Sequence, residues 1–148
     1  MSQQNVQAVS RLYDAFNAGD LDTFERGLGR NLAWREADHS LYCAGNPYRS
    51  FAEIRDGVFA PTVRDFDNFF VDLEQLFDAG DHVIGVGRYR GRHRETGKDL
   101  SAQFCHLMHV DRDGKLDRVQ EYADTLQEAQ VSGRVQPVEE MKILQPIA

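Results

Sequence analysis

The chain has 148 residues, 41% hydrophobic and 28% charged, which is enough for one domain with a buried core and no cross-links. Seventeen basic side chains against 24 acidic ones leave a formal charge of −7, which argues against nucleic acid and anionic membranes as general partners. No apolar run approaches the roughly 20 residues of a membrane span, and "MSQQNVQAVS" lacks the basic-then-apolar order of a secretion signal, so a cytoplasmic location is expected, with Cys43 and Cys105 as reduced thiols.

Val6, Val9, Leu12, Tyr13 and Phe16 recur at helical spacing, and Gly19 is placed to end that helix. Asp20 then caps a short helix expected to carry Leu21, Phe24 and Leu28. "LAWRE" reads as a strand with Leu32, Trp34 and Glu36 on one face, and residues 37–49 read as a loop around Gly45, Asn46 and Pro47. Ser50 with Glu53 forms a capping box for a helix carrying Phe51, Ile54, Val58 and Phe59, expected to stop near Pro61. From about Phe69 the period changes to two. Four strands are expected, broken at Ala79-Gly80-Asp81, Glu95-Thr96-Gly97 and Asp113-Gly114. Helices followed by such a meander make an α+β domain spanning 1–148, with helices against one face of a curved mixed or antiparallel sheet. The segment 128–148, with Val135, Val138, Met141, Ile143, Leu144 and Ile147, is too apolar for a free tail and is expected to pack on its own domain or a partner subunit.

"FCHLMHV" places two histidines three residues apart. On a strand they point to opposite faces, so His106 and His109 do not chelate one metal, and no metal site is expected. If the loop at Asp113-Gly114 has two residues, Arg112 faces Lys115, whereas a three-residue loop would shift the register by one. Counting back, His106 falls opposite Glu121, Met108 opposite Val119, Phe104 opposite Ala123, and His109 opposite Arg118 on the other side. In "GVGRYRG", Gly85, Gly87, Tyr89 and Gly91 share a side, and a turn at Thr96-Gly97 brings Gly87 near His106. Glycines within a strand mark a bend or a close approach, here by a ligand or by a helix. Arg88, Arg90, Arg92 and Arg94 form a stripe on the opposite face, expected to be solvated or to pair across a dimer edge.

"LYDAFNAGDLDTF", "LAWRE", "PYRSFAEIRDGVF", "LFDAGDHVIGVGRYRG" and "QFCHLMHVDRDGKLDRVQEYADT", in that order, resemble the NTF2-like superfamily, in its SnoaL-like and ketosteroid-isomerase-like branch. The resemblance covers about residues 5–127. It implies a cone-shaped α+β barrel with a deep apolar pocket, commonly a homodimer packed through the sheets. It also implies functions ranging from isomerases and polyketide cyclases to members with no known chemistry. Glu36 falls where the steroid isomerases keep a proton-shuttling carboxylate, and His106 where they keep an acid that meets the oxyanion. Their tyrosine on the first helix matches Leu12, and Tyr13 is expected to point elsewhere. Glu121 falls at one carboxylate of the limonene-epoxide hydrolases, whose other two site residues match Gly87 and Tyr89, so epoxide hydrolysis is not expected.

Glu36, His106 and Glu121 are therefore the candidate catalytic residues, Glu36 moving a proton and His106, oriented by Glu121, meeting the oxyanion. The plain alternative is a satisfied polar pair in a core. Trp34, Tyr48, Phe51, Phe59, Phe66, Tyr89, Phe104, Met108 and Val119 are candidate contacts to an apolar small molecule. Isomerisation, cyclisation or dehydration without a cofactor is expected; the competing class is a non-catalytic ligand-binding or assembly module.

Overall fold

A computed structural model describes residues 2–135. Helix α1 (Ser2–Asn17) ends at Gly19, whose φ of +70° is open to a residue without Cβ. The Asp20 carboxylate accepts from the Thr23 amide and starts α2 (Leu21–Arg26). Leu28, expected on that helix, instead opens strand β1 (Leu28–Arg35), because Gly27 closes α2 one residue earlier. After the loop, the Ser50 hydroxyl accepts from the Glu53 amide and starts α3 (Phe51–Ile54). The helix does not stop at Pro61. A π turn (Arg55–Phe59) leads into α4 (Ala60–Asp65), whose start holds the proline. Proline has no N–H to give, and the hydrogen-bond ladder changes spacing just before it, so the chain stays helical to Asp65.

The four expected strands follow as β2 (Phe66–Ala79), β3 (His82–His93), β4 (Asp99–Val110) and β5 (Leu116–Ala123). The sheet order is β1-β5-β4-β3-β2, antiparallel except for β1 beside β5. This is the expected α+β cone: α1 lies across β2 and β3 and closes the concave side. Asn17 fixes it there, its side-chain amide donating to the Val71 carbonyl and its oxygen accepting from the Val71 amide, both at 2.9 Å. A further helix, α5 (Thr125–Val131), capped by Asp124, folds back over β4, with Gln127 accepting from the Ser101 amide. The sequence patterns did not point to this helix. Residues 136–148, with Val138, Met141, Ile143, Leu144 and Ile147 of the apolar tail, lie outside the described residues.

The β4–β5 pairing is as expected from Phe104–Ala123 to His109–Arg118, but the turn is not. Asp111, not Arg112, faces Lys115 across a three-residue loop, and Asp117 is an extra residue between the Val110–Leu116 and His109–Arg118 pairs. The longer loop shifts the register by one and the bulge shifts it back. In the neighbouring hairpin His106 pairs with Gly85, and Gly87 pairs with Phe104, which leaves Gly87 a diagonal neighbour of His106 on the same face.

What approaches Gly85 is a helix. A Cβ there would sit 2.3 Å from the Tyr13 hydroxyl. At Gly87 the obstacle is the Asp72 carbonyl of β2, 2.2 Å from such a Cβ. Buried, well-packed neighbours give little ground to an added methyl group. Gly85→Ala should therefore lower stability by about 1–3 kcal/mol in urea denaturation. Adding Tyr13→Phe, which removes the obstructing oxygen, should return part of that loss; strictly additive losses would mean the two do not meet.

Candidate functional site

The concave face of the sheet, with α1 and the 51–65 helix, encloses a cavity of about 100 Å³. Its wall is mainly apolar and aromatic, with Phe16, Phe24, Trp34, Phe59, Phe66 and Phe69 prominent. Phe59 meets Phe16, Phe24 and Trp34 at 5.0–6.0 Å between ring centroids, in edge-to-face geometry. Four titratable groups other than phenols interrupt the wall: Glu36, His106, Glu121 and Glu128.

The structure brings the three expected catalytic residues to one cavity. Of the nine expected contact residues, Trp34, Phe59, Phe66, Tyr89, Met108 and Val119 line it. The other three do not. Tyr48 turns its hydroxyl to the Tyr42 carbonyl, Phe51 packs toward Phe24, and Phe104 lies behind the wall, stacked on His106 at 4.2 Å. His109 faces the other side of the sheet, as alternation requires, with its Nδ1 2.5 Å from an Asp117 oxygen. The arginine stripe also lies outside, paired within the chain: Arg90 with Asp72 at 2.7 Å, Arg92 with Asp99 at 2.9 Å and Arg94 with Asp67 at 3.1 Å.

His106 and Glu121 are cross-strand partners, yet they do not bond directly. His106 Nε2 is 3.9 Å from Glu121 Oε2, and the Tyr89 hydroxyl stands between them, bonded to both. The other ring nitrogen, Nδ1, meets the Tyr13 hydroxyl at 2.7 Å. Tyr13 thus points into the site, against expectation. α1 crosses the sheet so that this position lies over Gly85, where the missing side chain leaves room for the phenol oxygen beside His106. The signal present in the sequence was the glycine itself. Glu121 also accepts from the Ala37 amide at 3.1 Å, which ties the end of β1 to β5.

Burial dominates the electrostatics. It holds His106 neutral, with a pKa down to about 3, because no carboxylate touches the ring directly to offset the lost hydration. Glu36 is only 6% exposed, and burial with the nearby Glu121 charge raises it well above the usual carboxylate range, against the Trp34 indole N–H that donates to it at 2.9 Å. Glu121 is raised by burial, opposed by its bonds from Tyr89 and Ala37. Glu128, on the unexpected α5, is 8% exposed, and its Oε2 has no hydrogen-bond partner among the described residues. Burial, then the charges of Glu121 and Asp124, push its pKa up to about 8. No Lys or Arg lines the cavity among the described residues. Nor does any group of three His, Cys, Asp or Glu side chains there have an arrangement suited to a metal ion.

These shifts set opposite pH slopes. His106 is depressed, so its contribution to stability is complete above about 6.5 and is lost as pH falls toward 3. Glu128 is raised, so its contribution is complete below about 4.5 and is lost as pH rises through 8. Glu128→Gln removes the second slope. Its stability relative to the parent should rise by up to about 1.4 kcal/mol per pH unit as urea denaturation moves from pH 5 to 8. A pH-independent difference would show that Glu128 ionises alike in both states.

The SnoaL-like domain family matches residues 9–119 of this chain. Among solved structures, an NTF2-like protein from Burkholderia thailandensis E264 is 34% identical with a TM-score of 0.81, covering 86% of this chain and 95% of that one. A candidate SnoaL-like polyketide cyclase from Jannaschia sp. CCS1 is 17% identical at a TM-score of 0.77, covering 91% and 95% of the two chains. A protein of ketosteroid-isomerase-like fold from Catenulispora acidiphila DSM 44928, in complex with trimethylamine, is 19% identical at 0.69, covering 85% and 92%. No curated protein matches the sequence. No helix among the described residues is long and apolar enough to cross a membrane. With the family matched over three quarters of its length and the fold shared with these structures, the chain belongs to the SnoaL-like family of NTF2-like proteins.

Proposed function

We propose that this SnoaL-like protein binds a small, largely apolar cyclic or enolisable molecule in its cone and moves a proton on it without a cofactor, in an isomerisation, cyclisation or dehydration. The observation that carries this reading is Glu36, a buried carboxyl on an aromatic cavity wall, oriented by one indole N–H. At about 100 Å³ the cavity is smaller than the ~150 Å³ that holds a benzene ring, so a cyclic ligand would lie partly toward the mouth.

In its ionised form, Glu36 is a stronger base than a solvated carboxylate, suited to take a proton from a carbon beside a carbonyl and return it elsewhere on the same molecule. In the first step the C–H bond breaks, its electron pair moves into the enolate, and Glu36 holds the proton. The second step reverses this at a different atom. Negative charge on the ligand oxygen is met from the His106 end of the cavity, where phenol hydroxyls stand in an apolar setting that strengthens each hydrogen bond. Glu121 supports that end through Tyr89.

The outer face of the sheet supports a second proposal, a homodimer. Phe77, Leu107 and Tyr122 are exposed there, and Phe77, Ile84 and Leu107 are aligned across three adjacent strands.

Proton transfer is testable without knowing the natural substrate. Incubated in D2O with a panel of cyclic ketones and enones, the protein should speed α-hydrogen exchange, read by NMR, and Glu36→Gln should lose roughly 10²–10⁴-fold of that acceleration. If no panel member exchanges faster than in buffer while some still raise the melting temperature, the protein is a non-catalytic ligand-binding module. For the dimer, Leu107→Glu should move the sedimentation mass from two copies to one; a parent that already sediments as a monomer overturns it.

A further inference from the structure

Tyr13 of α1, His106 of β4, Tyr89 of β3 and Glu121 of β5 stand in single file, joined by three hydrogen bonds. Each bond holds one proton, so fixing one end fixes the rest. An ionised carboxylate can only accept, so Tyr89 must give its O–H to Glu121. The Tyr89 oxygen then accepts, which requires the proton of neutral His106 on Nε2. Nδ1 is left with a lone pair, and Tyr13 donates to it. If Glu121 instead carries a proton toward Tyr89, every bond reverses. Tyr89 donates to Nε2, the imidazole proton moves to Nδ1 and points at the Tyr13 oxygen, and the Tyr13 O–H is released. Its other partner among the described residues is the Met108 sulfur at 3.8 Å, a weak acceptor that a ligand oxygen would displace.

We propose that the protonation of Glu121 sets the tautomer of His106 through Tyr89, and so decides whether Tyr13 offers the cavity an acceptor or a donor. With Glu121 ionised, Tyr13 selects a ligand hydroxyl or N–H. With Glu121 protonated, it selects a carbonyl or enolate oxygen, and binding of such an oxygen draws a proton onto Glu121. Tyr89 and Glu121 are positioning residues in this scheme; Tyr13 is the group that meets the ligand.

Both phenols stay protonated because burial raises them. Glu121 is faced by Tyr89 from β3 and His106 from β4, by the Ala37 amide and Glu36 from the end of β1, and by Glu128 from α5. The two carboxyls make proton uptake at Glu121 easier, whereas the Ala37 and Tyr89 donors favour its ionised form. That balance leaves both states within reach. The role of Tyr13 rests on the cavity being a ligand site; the tautomer does not.

The test exploits the Ala37 amide. In Glu121→Gln the side-chain oxygen is held by that N–H, which turns the NH2 toward Tyr89 and copies the protonated state. In ¹⁵N-histidine spectra of the full chain at pH 8, the parent should show His106 as the Nε2–H form and Glu121→Gln as the Nδ1–H form. In a Tyr89→Phe background, Glu121→Gln should leave the tautomer unchanged. If Glu121→Gln does not fold, titration of the parent from pH 9 to 4 serves the same purpose, with the Nε2–H signal giving way to Nδ1–H without imidazolium shifts. One fixed tautomer in the parent and variant, or throughout the titration, overturns the proposal. A tautomer change that persists without Tyr89 overturns the route. None of these spectra depends on turnover, so a failed exchange assay would leave the result intact, and the converse also holds.

Discussion

An uncharged imidazole held between two phenols, inside an apolar cone, is the constraint on which this site depends. Removing His106 from water disfavours its charge, and each ring nitrogen then needs a partner that makes no demand for a full charge. The partners come from different elements. Tyr89 reaches from the adjacent strand and Tyr13 from a helix that has to cross the sheet at one place. Gly85 is the negative image of that requirement, an absent side chain where a hydroxyl must pass. Asn17, clamped on Val71 one helical turn later, holds the same helix against the sheet. The docking of α1 and the chemistry of His106 are therefore a single packing problem.

Much of this was legible in the sequence because strand alternation is rigid. Once β4 was read as a strand, His106 and His109 had to part, and a two-residue hairpin at Asp113-Gly114 would set His106 against Glu121. The register came out right although the turn was read wrongly, because the three-residue loop and the bulge at Asp117 cancel. Local turn chemistry fixed one offset and the hydrophobic alternation on both strands demanded the other.

What the sequence hid is equally physical. The rotation of a helix about its axis against a sheet depends on shape across many residues, so Tyr13 was assigned away from the site although it closes it. The glycine pattern announced a close approach but not by what, and the expectation of Gly87 near His106 did not single out Gly85 as its partner. Helix α5 is short, and with it Glu128 went unseen, though it completes the set of three carboxyls on the cavity wall.

Those three carboxyls share a space without a cation among the described residues, and they cannot all be charged. Geometry divides the protons unequally. Glu121 holds two donors, one from backbone and one from Tyr89, so its charge is the best supported. Glu36 has a single indole N–H, and Glu128 has one oxygen without a partner among the described residues. Negative charge therefore settles first on the carboxylate farthest along the tyrosine–histidine file, while the two less supported groups keep their protons longest. Such an arrangement places the more basic carboxyl at the aromatic wall and the better-supported charge behind it. The chemistry proposed for Glu36 uses its ionised form, whose basicity the same burial raises, and the tautomer proposed for His106 turns on the balance at Glu121, so both depend on how the donors from Trp34, Ala37 and Tyr89 divide the protons.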